Sequence, residues 1–304
     1  MSEPSHIDDL NLRFGIAGVA QVVAGRGAFP KIRLTTSAAS AEIYLHGAQV
    51  TSWIPAGSDE VIFLSEHSHW QEGRATRGGV PVCFPWFRAK AGDPTAPAHG
   101  FVRTKLWQLD SITSSDEGAV TVACSTTSDD ATRRWWPHEF LLLHRVTVGK
   151  QLRMELIVTN TGSTSFQFEE ALHTYFRVGQ VQNIRIRGFD GVSYLDNTDA
   201  NREKLQSGDL VLTTTTDNAY ISAHGAAEIL DPDLHRTLQT AKENSAATIV
   251  WNPWERGAAS LADLGNDEWR QMICVEASNI LGSAILLETG AEHSMTSTLS
   301  VQRE

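Results

Sequence analysis

Short β-type runs bounded by Gly, Asn, Asp, Ser or Pro recur from one end of this chain to the other, and long segments with a helical period are scarce. The sharpest signal is a hairpin. Phe140-Leu-Leu-Leu-His-Arg-Val-Thr-Val148 is followed by Gly149-Lys150 and then by Gln151-Leu-Arg-Met-Glu-Leu-Ile-Val-Thr159, two β-rich arms around a two-residue Gly-containing turn. In the second arm Leu152, Met154, Leu156 and Val158 fall on one face, because strand side chains alternate. Further strands are expected at 31–35, 41–45, 61–64, 119–124, 165–170, 184–187, 210–214, 248–252, 272–277, 283–288 and 294–302. Half-apolar strands in that number need a second layer to cover their apolar faces. The expected class is therefore all-β, with extensive sheets packed face to face.

The 304 residues are 41% hydrophobic and 20% charged, ordinary globular usage that excludes a disordered or collagen-like chain. Length alone would allow two domains, but no composition shift, repeat or low-complexity linker divides the sequence. The stretches 88–98 and 125–137 read as long loops, residues 1–10 as a disordered tail, and 11–304 as a single domain. Lys and Arg number 25 against 36 Asp and Glu, a formal charge of −11. Nucleic acid is therefore not the expected partner, since phosphate backbones are bound by clustered basic residues. The N-terminal residues are polar and acidic, without a signal's basic patch and apolar run, and no stretch approaches a membrane span of about 18 apolar residues. A cytoplasmic protein with no membrane partner is expected. Cys83, Cys124 and Cys274 are odd in number and far apart, so buried reduced thiols are expected rather than disulfides or a zinc centre.

Nucleotide-binding glycine motifs, His-Glu-x-x-His and Gly-x-Ser-x-Gly are all missing from the sequence. His67-Ser68-His69 lacks a third ligand nearby and reads as polar loop histidines, so no metal site is expected. What remains is a set of polar residues in unusual company. Gly73-Arg-Ala-Thr-Arg-Gly-Gly-Val-Pro-Val-Cys-Phe-Pro-Trp-Phe87 joins arginines, a glycine pair and Pro-bounded aromatics, so a loop there can present Arg77 at a fixed angle beside an aromatic wall. Ala98-His-Gly-Phe-Val-Arg103 follows. Phe168-Glu-Glu-Ala-Leu-His-Thr-Tyr-Phe176 and Met272-Ile-Cys-Val-Glu-Ala-Ser-Asn279 set His173 and Glu276 in apolar stretches, where each needs a partner.

Taken in order, these blocks resemble the aldose 1-epimerase superfamily. Thr76-Arg-Gly-Gly-Val-Pro-Val-Cys-Phe-Pro-Trp-Phe87, His99-Gly-Phe-Val-Arg103, Leu172-His-Thr-Tyr-Phe176, Gly188-Phe-Asp-Gly-Val-Ser-Tyr-Leu-Asp196, Val250-Trp-Asn-Pro-Trp254 and Cys274-Val-Glu-Ala277 carry the resemblance. Within the superfamily they are most similar to the glucose-6-phosphate 1-epimerase branch. The resemblance implies a single-domain β-supersandwich of the galactose mutarotase type and a cofactor-free isomerase acting on a hexose 6-phosphate. It implies His173 and Glu276 as the acid and base pair, and Arg77, His99, Arg103 and Asp217 as substrate-binding residues. The Asp217 block departs from the family pattern, reading Asp217-Asn218-Ala219-Tyr220 where Asp-Arg-x-Tyr is usual; Asp196-Asn197 likewise stands where Asp-Lys is usual.

Interconverting the α and β anomers of a sugar requires a base toward the anomeric hydroxyl and an acid toward the ring oxygen. Glu276 is expected in the first role and protonated His173 in the second. Arg77 and Arg103 are expected to hold the phosphate, His99 and Asp217 the sugar hydroxyls, and Trp86 or Trp254 to pack on the apolar ring face. A monomer is expected. Two other readings compete: a mutarotase for unphosphorylated aldoses, and a non-catalytic sugar-phosphate binding protein.

Overall fold

Leu142, Val146 and Val148 on one arm of the hairpin and Leu152, Met154, Leu156 and Val158 on the other are all buried, as their alternation requires. In the computed structural model, which describes residues 6–303, the arms are Phe140–Val148 and Leu152–Asn160, paired antiparallel with Val148 opposite Leu152. The turn holds three residues, Gly149, Lys150 and Gln151, rather than the two expected.

This hairpin lies in an eight-stranded antiparallel sheet running Arg185–Arg187, Ala227–Asp231, Arg236–Glu243, Glu292–Arg303, Leu152–Asn160, Phe140–Val148, Val120–Thr127, Gln108–Ser114. A second eight-stranded sheet runs Arg202–Leu205, Ser193–Asp196, Thr216–Tyr220, Ala247–Asn252, Met272–Asn279, Glu170–Leu172, Val82–Cys83, with Tyr175–Arg177 also paired to Met272–Asn279. A four-stranded sheet, Ala20–Ala24 to Gln49–Pro55, adds to the first half of the chain. One hydrophobic cluster includes Val22, Trp53, Leu156, Phe176 and Met272 from all three sheets. Phe84 joins the layers, its ring 5.2 Å from Phe140 and 5.3 Å from Phe168. The architecture is the all-β packed sandwich that the strand pattern requires.

The differences from the expected elements have local causes. Val61, Ile62 and Phe63 are buried, but the segment makes only isolated bridges, Ile62 to Phe176 and Leu64 to Gly78, and Leu210 likewise pairs only with Ile186. Their β-prone side chains report burial rather than ladder pairing. The run 165–170 breaks at Glu169 into Phe166–Phe168, paired with Ile285–Leu287, and Glu170–Leu172 in the second large sheet. Residues 125–137, expected as a loop, contain the end of a strand and the helix Asp130–Trp135. Asp129 caps it by accepting from the Thr132 amide at 2.8 Å. Of the expected tail, residues 6–10 belong to the helix His6–Phe14, which buries Leu10, and residues 1–5 lie outside the described residues. No helix among the described residues is long and apolar enough to cross a membrane.

His144, on the buried face of the hairpin, donates one hydrogen bond, from Nδ1 to the Ala48 carbonyl at 2.9 Å, and its Nε2 has no partner among the described residues. Burial pushes its pKa down to about 4. An unfolded chain takes up this proton below about pH 6.5 while the native chain refuses it, so stability falls as pH drops through that window. We expect urea unfolding of the wild type to lose about 2–3 kcal/mol more than His144→Gln between about pH 7 and about pH 4.5. Parallel losses in the two proteins would contradict the assignment.

Candidate active site

Directly opposed residues of an antiparallel ladder share a face, and this rule assembles the site. On the second large sheet Asp217 stands opposite Trp251, and Ile249 opposite Glu276. His173 follows the strand Glu170–Leu172, with its amide bonded to the Pro81 carbonyl at 3.0 Å, and Tyr175 begins the next strand against Cys274. Loops close the remaining sides. Gly78 has φ +107°, and a Cβ there would meet the Leu64 and Phe63 backbone at 2.6 Å, so glycine is required for Arg77 to enter beside that segment. Gly100 has φ +73° and lies so near the Phe84 carbonyl that a Cβ would collide with it, which sets His99 against Phe87.

The result is a cavity of about 220 Å³ lined by Arg77, Phe87, Arg88, His99, His173, Tyr175, Asn197, Asp217, Ile249, Trp251 and Glu276. A larger groove of about 580 Å³ beside it shares Phe87 and Arg88 but is otherwise mostly apolar. Its opposite wall includes Glu169, whose carboxylate accepts from the Phe87 and Leu281 amides at 2.8 and 2.6 Å and so anchors the Phe87 loop. The smaller cavity holds the titratable groups. It is where chemistry can occur.

At its floor His173 Nε2 lies 3.3 Å from Glu276 Oε1. Both residues are buried, neither Glu276 oxygen has an aligned hydrogen-bond donor, and His173 Nδ1 has no partner among the described residues. Burial, reinforced by the charges of Arg103 and Arg77, pushes the His173 pKa down to about 3. Burial, with repulsion from Asp217, raises Glu276 well above the ordinary carboxylate range against the opposing pull of Arg88 and Arg103. The two shifts oppose each other, so a proton on the pair is favoured on the carboxyl over the imidazole. His99 is kept neutral by burial and by Arg103, and its Nδ1 accepts from the Arg88 amide at 3.4 Å. Its Nε2 is the ring's proton-bearing nitrogen in that tautomer.

Arg77 is fixed by two bonds, Nε to Asp263 Oδ1 at 3.1 Å and Nη1 to the Tyr175 hydroxyl at 3.1 Å. Arg88 donates from Nη2 to Asp217 Oδ1 at 2.6 Å, while Asn197 donates to Asp217 Oδ2 at 2.6 Å. Arg77, His99, His173, Asp217 and Glu276 are thus brought together as the sequence blocks implied. Arg103 is not part of the lining. Its Nη2 donates to the Ala98 carbonyl at 2.9 Å, its buried Nε has no hydrogen-bond partner among the described residues, and it acts on the two histidines through its charge.

The tryptophans also differ from expectation. Trp86 packs edge-on against Phe101 and borders the neighbouring groove, and Trp254 lies tilted against Trp269 with ring centroids 4.6 Å apart; neither lines the cavity. Trp251 and Phe87 form the aromatic wall instead, Trp251 lying edge-on to His173 at 6.2 Å between ring centroids. Trp251 sits in the same short block as Trp254, so strand alternation from Glu276's partner Ile249 was the signal that could have selected it. Arg88 carried no such signal, since its place depends on a loop residue with φ +60°. Of the two family departures, Asn197 touches the site through Asp217, whereas Asn218 points to the opposite face of its strand.

Residues 30–300 match the family described as aldose 1-epimerase. A Salmonella typhimurium protein provisionally named glucose-6-phosphate 1-epimerase is 35% identical over 237 residues, 78% of this chain and 78% of its own length. A crystal structure from the same species, provisionally named a mutarotase, superposes with a TM-score of 0.89 at 29% identity, covering 96% of each chain. A galactose mutarotase related enzyme from Lactobacillus acidophilus shares the fold, with a TM-score of 0.72 at 13% identity over 90% of this chain and 97% of its own. The architecture is thus the β-supersandwich of the galactose mutarotase type.

A protonated Glu276 has a direct spectroscopic signature. Infrared difference spectra at neutral pH between wild type and Glu276→Gln should contain a protonated-carboxyl C=O stretch from the wild type. A difference showing only ionised carboxylate bands would contradict the shared-proton description.

Proposed function

The chain belongs to the aldose 1-epimerase family, and we propose from that premise that its pocket interconverts the α and β anomers of a hexose 6-phosphate such as glucose 6-phosphate. The observation that carries the proposal is the buried His173–Glu276 pair, 3.3 Å apart and with no other side-chain hydrogen bond among the described residues, in a cavity bordered by two arginines. Ring opening removes the proton of the anomeric hydroxyl, breaks the bond between the anomeric carbon and the ring oxygen, and delivers a proton to that oxygen. The aldehyde then rotates about its C–C bond, and closure on the other face reverses both transfers. One base and one acid suffice for the whole cycle.

A pair carrying one proton supplies both groups. Sugar hydroxyls donating to Glu276 favour its ionised form, so the proton crosses to His173. Glu276 then acts as base toward the anomeric hydroxyl and His173 as acid toward the ring oxygen. His99 and Asp217 hold ring hydroxyls, and Trp251 and Phe87 bound the apolar face. Arg77 and Arg88 meet the phosphate through the guanidinium donors that their carboxylate partners leave unused, with Arg103 adding positive charge behind them. Three buried free thiols suit a reducing cytoplasm.

One observation favours a second reading. Both lining arginines are already paired, Arg77 with Asp263 and Arg88 with Asp217, which suits an uncharged aldose better than a bare guanidinium would. Anomeric equilibration of freshly dissolved α-glucose 6-phosphate and α-glucose, followed by polarimetry, separates the two. We expect His173→Asn and Glu276→Gln to lose about 10²–10⁴-fold in rate while still binding the sugar phosphate. Arg88→Ala should raise KM at least about tenfold for the phosphorylated sugar and leave glucose unaffected. An unchanged rate in Glu276→Gln would sink the acid–base pair, equal effects of Arg88→Ala on both sugars would support the free-aldose reading, and no acceleration of any sugar would leave a binding protein.

A further inference from the structure

Beneath the aromatic wall lies a residue that the proton transfers do not use. Cys274 shares a strand face with Glu276, two positions away, and stands opposite Tyr175 and Trp251 on the neighbouring strands. It is fully buried and makes no disulfide. One ligand atom from each of His173, Cys274 and Glu276 falls within 4.8 Å of the other two. The His173–Glu276 edge is already 3.3 Å, and tetrahedral zinc with bonds of about 2.0–2.3 Å needs donor separations of roughly 3.3–3.8 Å. Small side-chain rotations close the remainder. The Glu276 oxygens, buried and without aligned donors, are an independent sign of a place left open for a ligand.

We propose that His173, Cys274 and Glu276 form a latent inhibitory site for a thiophilic divalent cation, Zn²⁺ or Cd²⁺, at the floor of the pocket. This rests on the catalytic reading of His173 and Glu276 for its inhibitory consequence, though not for binding itself. The ion takes the Nε2 lone pair, a thiolate and a carboxylate. The thiol proton and the carboxyl proton pass to solvent, and water fills the fourth position. A divalent ion with one thiolate and one carboxylate is uncharged overall, which lowers the cost of holding it at a buried site. Mg²⁺ and Ca²⁺, which take oxygen ligands in larger number, do not fit a nitrogen, sulfur and oxygen set. The metal occupies both proton-transfer groups at once.

Two readouts test this with the full-length protein. Anomer equilibration should be inhibited by micromolar ZnCl₂ or CdCl₂, restored by EDTA, and indifferent to MgCl₂. Cys274→Ser, referenced to its own metal-free rate, should need at least about tenfold more zinc, whereas Cys124→Ala should not. CoCl₂ titration, which needs no turnover, should produce a thiolate-to-cobalt charge-transfer absorption in wild type and Cys124→Ala but not in Cys274→Ser. Identical zinc sensitivity in Cys274→Ser and wild type, or cobalt bound without the charge-transfer band, would overturn the site. A charge-transfer band in a protein that accelerates no sugar would uphold the metal site and reject the catalytic reading.

Discussion

Burying a carboxyl group without a hydrogen-bond donor is costly, and the arrangement around Glu276 is built on accepting that cost. The group sits at the floor of a cavity with His173 3.3 Å away, and burial raises its proton affinity while lowering that of His173. The two groups are thereby shifted in opposite directions, the carboxyl toward keeping a proton and the imidazole toward losing one. Such a pair can give a proton at one atom and take one at another, which is the requirement for opening and closing a sugar ring. The surrounding charges are arranged in pairs, Arg77 with Asp263 and Arg88 with Asp217, so the pocket orients polar groups without an excess of unpaired charge.

The frame that allows this is the antiparallel register. Asp217, Trp251, Ile249 and Glu276 meet on one sheet face because their strands pair residue against residue, and a one-residue slip would turn all of them away. The aromatic packing of Phe84 between the layers and the glutamate anchor of the Phe87 loop hold the opposite wall. Glu276 stands on a strand and His173 directly after one, while loops carry Arg77, Arg88 and His99. On the proposed reading this division is apt, since proton transfer tolerates little displacement whereas contacts made from loops can vary.

The strand-rich character, the hairpin at 140–159 and the burial of the three thiols were legible because they depend on local alternation and composition. His173 and Glu276 were singled out as polar residues in apolar runs, but their meeting depends on register across strands distant in sequence. Arg103, Trp86 and Trp254 belonged to the right blocks and yet point elsewhere, since a block places a backbone and not each side chain's direction. Arg88 was invisible because its backbone takes a left-handed conformation that residue type does not announce. The Asn218 departure proves remote from the pocket, and the Asn197 departure bears on it through one hydrogen bond.

The shared proton is tested most directly by magnetisation-exchange NMR between the α and β anomers of glucose 6-phosphate, with the uncatalysed rate subtracted at each pH. Substrate phosphate titrates near pH 6, so the informative range lies between about pH 7 and about pH 8.5. With Glu276 raised by burial, the account predicts that the pair keeps its proton across that range and that the catalysed exchange stays level. If the acid were instead a histidine of ordinary pKa, the rate would fall about tenfold per pH unit above about pH 6.5, and that result would contradict the account.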